Sequence, residues 1–330
     1  GDMDVLSASF EDHKIAWYEN DGSESFTEHV ISTSAVGAFS VYAVDVDGDG
    51  DMDVLSASWY DQKIAWYEHV QEIHYTYVPD DNFEQALIDL GYDDTLDDFV
   101  LTENISGVTE LYLSEREISD LTGIEDFMAL TDLLCGNNQL TALDVSNNTA
   151  LTYLYCSHNQ LTSLDVSNNT AITALYCYDN QLTSLNLSGA TALGSLHCYD
   201  NQLTSLDVSN NTALTTMYCN NNQLTSLNLS GATALGLLSC YDNQLTALDV
   251  STNTALIELY PHLNQLTALD LSANTALTTL QCGSNELTAL DLSANTALTD
   301  LLINVNQLTA LDVSANTALT TLQCGSNELT

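Results

Sequence analysis

From residue 130 onward the chain repeats itself every 21 residues, and that period leaves few folds open to it. Residues 151–171 read LTYLYCSHNQLTSLDVSNNTA. The same frame opens at Leu130, Leu151, Ile172, Leu193, Leu214, Leu235, Leu256, Leu277, Leu298 and Leu319. A 22-residue copy precedes them at Val108, and residues 277–288 and 319–330 are identical, a mark of recent internal duplication. In the copy at 151, Leu151, Leu154, Cys156, Leu161, Leu164 and Val166 are spaced to point inward. Leu154 and Cys156 lie two apart and share one face of a strand. A single coil cannot bury this set. Stacked coils bury it in a continuous core, with neighbouring strands about 4.8 Å apart. The alternation of Leu164 and Val166 predicts a short second strand or an extended turn.

Polar positions obey the same period. Asn138, Asn159, Asn180, Asn201, Asn222, Asn243, Asn264, Asn285, Asn306 and Asn327 occupy one place. An amide there can satisfy backbone groups that a tight turn leaves unpaired. All eight cysteines form another column, Cys135, Cys156, Cys177, Cys198, Cys219, Cys240, Cys282 and Cys324, with Pro261 and Ile303 in its gaps. In-register side chains run parallel at the strand spacing, wider than a relaxed disulfide. The expectation is a row of buried free thiols. A third column, Asp144, Asp165, Asn186, Asp207, Asn228, Asp249, Asp270, Asp291 and Asp312, reads as acceptors of turn hydrogen bonds.

Residues 1–70 follow a different rule. GDMDVLSAS at 1–9 returns at 50–58, and KIAWYE at 14–19 returns at 63–68, a period of 49. Alternating runs at 41–44, 54–58 and 63–68 between Asp- and Gly-rich turns predict strands. Residues 45–53, DVDGDGDMD, fit D-x-D-x-D-G-x-x-D. Asp45, Asp47 and Asp49 present alternate carboxylates, Gly50 permits the sharp turn, Asp51 can offer its carbonyl, and Asp53 closes the site. Five carboxylates in nine residues repel one another without a cation. Ca2+ takes about six to eight oxygens in irregular geometry, so structural calcium is the expected cofactor. The helix–loop–helix calcium motif is excluded, because Ser56 stands where its last Glu belongs.

Between the arrays a short helix is expected. Asp81 is its N-cap, with Glu84 three residues on as in a capping box. Phe83, Leu87, Ile88 and Leu90 give one apolar face, and Gly91 is a natural stop. Residues 80–107 read as a cap over the open end of the coils, with 71–79 as a linker.

The 21-residue pattern resembles the leucine-rich-repeat family over residues 108–330. The preceding VPDDNFEQALIDLGYDDTLDDFVLTENISGVTELYLS looks like the N-terminal cap of surface leucine-rich-repeat proteins of Bacteroidetes-type bacteria. There are two departures. Cys usually replaces Leu in the strand L-x-L, and LDVS stands where longer family members place a helix. The loop at 45–53 and the DVLSASWYDQKIAWYE that closes it resemble FG-GAP/VCBS-type β-propeller repeats, which carry such a calcium loop between blade strands. Gly1, Asp2, Met3 and Asp4 match only the last positions of such a loop. A closed propeller needs at least about four blades, so residues 1–70 are expected to be partial blades and the chain a fragment. The resemblances imply a mostly-β fold: partial blades, a short helical cap and a parallel-sheet solenoid. They also imply a secreted or cell-surface location.

Charge narrows the partners. The chain has 46 acidic residues against three basic ones, Lys14, Lys63 and Arg116. Phosphate binding needs clustered Lys and Arg, so nucleic acid is not an expected partner. No apolar run is long enough to span a bilayer. Outward positions around the strands give Tyr153, Tyr155, Ser157 and His158, then Tyr176, Tyr178 and Asp179, then His197, Tyr199 and Asp200. Further on they give Tyr218 and Asn220, then Ser239, Tyr241 and Asp242, and finally Tyr260 and His262. Tyrosine combines apolar area with a hydrogen-bonding tip and is enriched at binding surfaces. The neighbouring carboxylates suit sugar hydroxyls, calcium or a basic protein patch. No nucleophile elbow, zinc-binding H-E-x-x-H, phosphate loop or dinucleotide fingerprint occurs. The reading is a non-catalytic binding or adhesion module that takes protein or glycan on the concave face of the solenoid. The alternative is an accessory region of a larger secreted hydrolase.

Overall fold

Each inward Leu flanked by two outward residues makes a strand only three residues long, and stacking turns these scraps into one sheet. The computed structural model describes residues 3–22, 25–48, 50–69 and 73–330. They fall into two units, Gly1–Ile73 and His74–Thr330. In the second unit, strands from Glu110–Tyr112 to Thr321–Gln323 pair in parallel, one per coil and in chain order, giving an eleven-stranded sheet. Central residues such as Leu133, Leu154, Leu196 and Leu259 are fully buried, and so are seven of the eight cysteines. Each fully buried Leu contributes roughly 1.5–3 kcal/mol. All eight thiols are free. Burial pushes those of Cys135, Cys198, Cys240 and Cys282 up to about 12.

The asparagine column staples coils together. Asn201 Nδ2 donates to Cys177 O of the preceding coil at 3.0 Å and to Cys198 O of its own at 3.2 Å. Its Oδ1 accepts from Leu182 N at 2.9 Å. The residue before each staple holds a left-handed backbone: φ is 56° at His158, 52° at Asp179, 53° at Asp200 and 59° at Val305. A second amide row, unremarked in the sequence, runs through Asn148, Asn169, Asn211, Asn253, Asn274, Asn295 and Asn316, nearly all fully buried. Asn274 Nδ2, for example, donates to Val250 O and Asn253 O at 3.1 and 2.9 Å.

The expected second strand forms in four coils only, as two pairs: Ser163–Asp165 with Ser184–Asn186, and Ser205–Asp207 with Ser226–Asn228. Each pair joins a coil that reads LDVSNN to a following coil that reads LNLSGA. A Cβ on Gly189 would sit 1.8 Å from Ser167 O, so only glycine lets this coil close on the one before it. Asn186 in place of Asp then bonds Asp165 Oδ2 at 3.0 Å instead of repelling it. The Asp column accepts turn amides throughout, as with Ser209 N to Asp207 Oδ1 at 2.8 Å.

The cap differs from expectation at its N-terminal end. Its helix, Asp81–Leu90, is capped by Asp80, whose side chain accepts from Asn82 N and Phe83 N. Glu84 closes no capping box. It is fully buried and accepts from Asp97 N and Phe99 N at 2.8 and 3.1 Å, fixing the loop that follows. Leu90 is exposed, and Ala86 joins Phe83 and Leu87 in the core instead. Gly91 ends the helix with a left-handed φ of 82°. Residues 74–79, expected as linker, begin the second unit, where Tyr75–Tyr77 pairs antiparallel with Phe99–Leu101.

The first unit holds two three-stranded antiparallel sheets. One comprises Val5–Ser9, Lys14–Asn20 and Phe26–Ser32; the other comprises Ala38–Val44, Asp53–Ser58 and Lys63–Tyr67. Its fully enclosed core is small, Ile15, Ala35 and Ala38. Phe39, Trp59 and Ile64 are 71%, 68% and 80% exposed.

Candidate functional site: an aromatic sheet face and an acidic loop

In-register pairing sets the outward residues of successive coils side by side, so equivalent rings meet. In the strand column Tyr155 faces Tyr176, Tyr176 faces His197, and His197 faces Tyr218. The Tyr176–His197 and His197–Tyr218 centroids are each 4.6 Å apart. A second column stands two residues later. There Tyr178 and Tyr199 stack at 4.5 Å and 8°, and Tyr241 and His262 at 4.5 Å and 13°. Tyr155 and Tyr178 link the columns through their hydroxyls at 3.2 Å. Tyr153 packs on Tyr176 at 5.4 Å. At the far end the Tyr260 hydroxyl donates to Glu258 Oε2 at 2.6 Å. These rings are half-buried. Burial raises the Tyr155 and Tyr260 phenols, with the bonds to Tyr178 and Glu258 adding to it, and pushes Tyr199 up to about 12. Burial lowers His197 and His262, so both are neutral near pH 7.

The structure therefore brings Tyr153, Tyr155, Tyr176, Tyr178, His197, Tyr199, Tyr218, Tyr241 and Tyr260 onto one face. His158, Asp179, Asp200 and Asp242 rim it from the left-handed turn, with His158 Nδ1 3.4 Å from Asp179 Oδ2. Three residues expected on the surface are floor instead. Ser157, Asn220 and Ser239 are at most 4% exposed, because the rings of adjacent coils close over these shorter side chains. Gly136 is a seat: a Cβ there would lie 2.0 Å from Tyr155 Cε1. Sequence reading also missed Tyr112, Glu110 and Asp132, which extend the face toward the cap. Carrying the strand frame back into the 22-residue copy finds them.

In the first unit the loop of 45–53 joins two antiparallel strands that meet at Val44 and Asp53. Asp45, Asp47 and Asp53 each offer an oxygen, and these oxygens lie within 4.8 Å of one another. Gly48 and Gly50 take left-handed φ of 86° and 99°, and both amides turn onto Asp45. Asp53 is buried and accepts from His69 N and Val46 N at 2.9 and 3.0 Å, which holds its carboxyl below the ordinary value. Asp51 Oδ2 lies 3.4 Å from His69 Nδ1. Asp49, and Gly1 and Asp2 of the earlier loop, lie outside the described residues.

The class of protein these features define is a leucine-rich-repeat solenoid with a ringed sheet face, preceded by a unit of antiparallel β-sheets. The FG-GAP-like repeat family matches residues 1–56. Internalin J of Listeria monocytogenes is 42% identical over 73 residues, 22% of this chain and 8% of that protein. The solved functional domain of InlJ from L. monocytogenes, described as including a cysteine ladder, is similar with a TM-score of 0.63 at 34% identity, over 78% of this chain and 63% of that one. The internalin InlF of L. monocytogenes reaches 0.67 at 26% identity, over 76% of this chain and 77% of that one. The chain thus spans less than two thirds of the InlJ domain and under a tenth of internalin J.

Proposed function

We propose that this chain is a non-catalytic binding module of a secreted or cell-surface protein, and that it takes a protein partner on the outer face of the eleven-stranded sheet. One observation carries this reading. Six successive coils, from 151 to 256, each present aromatic rings on this face, and rings of neighbouring coils meet within 151–214 and again within 235–256, where the buried core makes no demand on residue type. Tyrosine-rich surfaces of this kind gain large contact area at small entropic cost. The likeness to internalin solenoids supports the same reading. Protein is favoured over glycan because a sugar stacks on an exposed ring face, and most ring faces here are covered by other rings. The test is binding to protein and glycan arrays by the chain and by its Tyr155→Ala, Tyr176→Ala, Tyr178→Ala variant. Loss of protein hits in the variant supports the face; hits that survive it place binding elsewhere.

In the first unit, Asp45, Asp47 and Asp53 would hold Ca2+, with loop carbonyls and water completing the oxygen shell. The cation would neutralise carboxylates that the hairpin forces together. Its role is structural.

A further inference from the structure

The cap holds a cavity of about 410 Å³ whose lining residues take no part in the ringed sheet face. That volume is within the range of small-molecule sites. One wall is the antiparallel pair of Tyr75–Tyr77 and Phe99–Leu101. Thr76 and Val100 are its inward residues, 3% and 0% exposed, so strand alternation turns Tyr75 and Phe99 outward. The other wall is the chain that leaves the helix, with Tyr92, Asp93 and Asp94, and Asp97 lies on the loop between the walls. This second wall is pinned. Tyr92 N donates to Leu87 O at 2.9 Å, and Asn104 Nδ2 donates to Tyr92 O at 3.0 Å.

Charge is unbalanced around the cavity. Glu84, fully buried, holds the Asp97 and Phe99 amides with Oε1, and its Oε2 has no hydrogen-bond partner. Asp93 Oδ2 is likewise buried and unpartnered. Burial, and then the charges of Asp97 and Asp94, raise the Asp93 carboxyl above its ordinary value. Arg116, the one Lys or Arg from residue 74 onward, is spent on Asp89. A buried carboxylate oxygen without a donor is costly, and a bound cation with N–H groups removes that cost.

The same acids choose the kind of cation. Among the described residues, three acidic oxygens come within 4.8 Å of one another only in the loop of 45–53, so the cap carboxylates do not converge on a metal ion. A guanidinium fork takes both oxygens of one carboxylate. Here Asp97 Oδ1 already accepts from Phe99 N at 3.1 Å and Asp94 Oδ1 from Thr95 Oγ1 at 2.9 Å, while the Asp94 and Thr95 amides hold Asp93. What remains is single oxygens on separate acids. An ammonium directs three N–H bonds apart from one another, and its alkyl stem packs along rings.

We propose that the cap cavity framed by Tyr75, Tyr92, Phe99, Asp93, Asp94 and Asp97 binds a primary alkylammonium group, with its stem along the rings and its nitrogen among the carboxylates. A free polyamine and a lysine side chain of a partner protein both offer that group. The site is separate from the sheet face and does not depend on it.

Isothermal titration calorimetry of the whole chain at physiological salt tests this with cadaverine, spermidine, N-acetyl-lysine methylamide and N-acetyl-arginine methylamide. The expected result is one saturable site for an ammonium probe, with the arginine probe at least tenfold weaker. Asp93→Asn should weaken that binding at least tenfold. Glu286→Gln, which removes an exposed acid from the coil opened by Leu277, should leave it unchanged. Tighter binding of cadaverine or spermidine than of the lysine probe identifies a free polyamine; the reverse order identifies a side chain. The absence of a saturable site, equal losses in the two variants, an arginine probe bound as tightly, or displacement of the amine by an equal concentration of Ca2+ overturns the proposal. If Asp93→Asn lacks the parent's circular dichroism spectrum, Tyr75→Leu with Asp94→Asn, both exposed positions, replaces it with the same outcomes. The Tyr155, Tyr176, Tyr178 variant should bind the amine as the parent does, so failure of the sheet face and failure of this cavity are separate results.

Discussion

One backbone conformation recurs at the turn of every coil and decides which residues can stand there. Asn137, His158, Asp179, Asp200, Asn221, Asp242, Leu263, Ser284, Val305 and Ser326 all have φ between 51° and 59°. Left-handed geometry costs an ordinary L-residue roughly 1–2 kcal/mol, and Asn and Asp tolerate it best. The acids that rim the aromatic face thus have a conformational reason to be there, beside any ligand. Val305 is the poorest fit, being β-branched and 48% exposed. Val305→Asn is expected to raise stability by about 1 kcal/mol, read as a higher urea midpoint at unchanged slope; an unmoved midpoint would show that the turn carries no strain. His197 makes a second prediction. Burial between two tyrosines holds its folded value below its ordinary 6.5. In the window between those values the unfolded chain binds the extra proton, so stability present above pH 6.5 drains away as pH falls. His197→Tyr, which continues the column, should lose less stability between pH 7.5 and 5.5 than the parent does.

At the scale of the coil, small departures from the repeat are structural instructions. Gly189 and Gly231 occur where LNLSGA replaces LDVSNN, and each second-strand pair joins one of those coils to the LDVSNN coil before it. Gly189→Asn restores the commoner text but drives a side chain into the Ser167 carbonyl. It should destabilise by roughly 1–3 kcal/mol and abolish slow amide exchange at Thr183, which bonds Thr162 O at 2.9 Å. Pro261 acts in the opposite sense. Other coils donate an amide from the cysteine column, as Cys240 N does to Tyr260 O at 3.1 Å. Proline has none to give, and the pairing of Glu258–Tyr260 with the next strand stops after two residues. The period, inward residues and outward tyrosines were legible in the sequence, because each follows from spacing alone. Ring stacking, the buried Ser157, Asn220 and Ser239 floor and the seat at Gly136 were not. They depend on which side chains lie one coil away, a relation that a linear pattern states only once the register is fixed. The N-cap was misread by one residue because Asp80 and Asp81 are adjacent and both competent to cap.

For the whole molecule, charge and modularity set the behaviour in solution. A net charge of −43 strains the compact state by self-repulsion, and salt screens it. The two units have separate cores, so two thermal transitions are expected. Added Ca2+ should raise only the one belonging to Gly1–Ile73, by about 2.7 kcal/mol at a hundredfold excess over its dissociation constant. Asp47→Asn should remove that shift, since it takes away one of the three carboxylates whose oxygens meet in the loop. A shift in the solenoid's transition instead would place the cation among the turn aspartates.

The asparagine staples give the solenoid a direction. Every coil's loose amide and carbonyl are tied off by the coil after it, as Leu182 N and Cys177 O are by Asn201, and never by the one before. Like shingles nailed by the row above, each coil takes its asparagine staple from its successor. Wear should therefore begin at whichever coil has none and travel backward toward the helix-covered end, one repeat at a time.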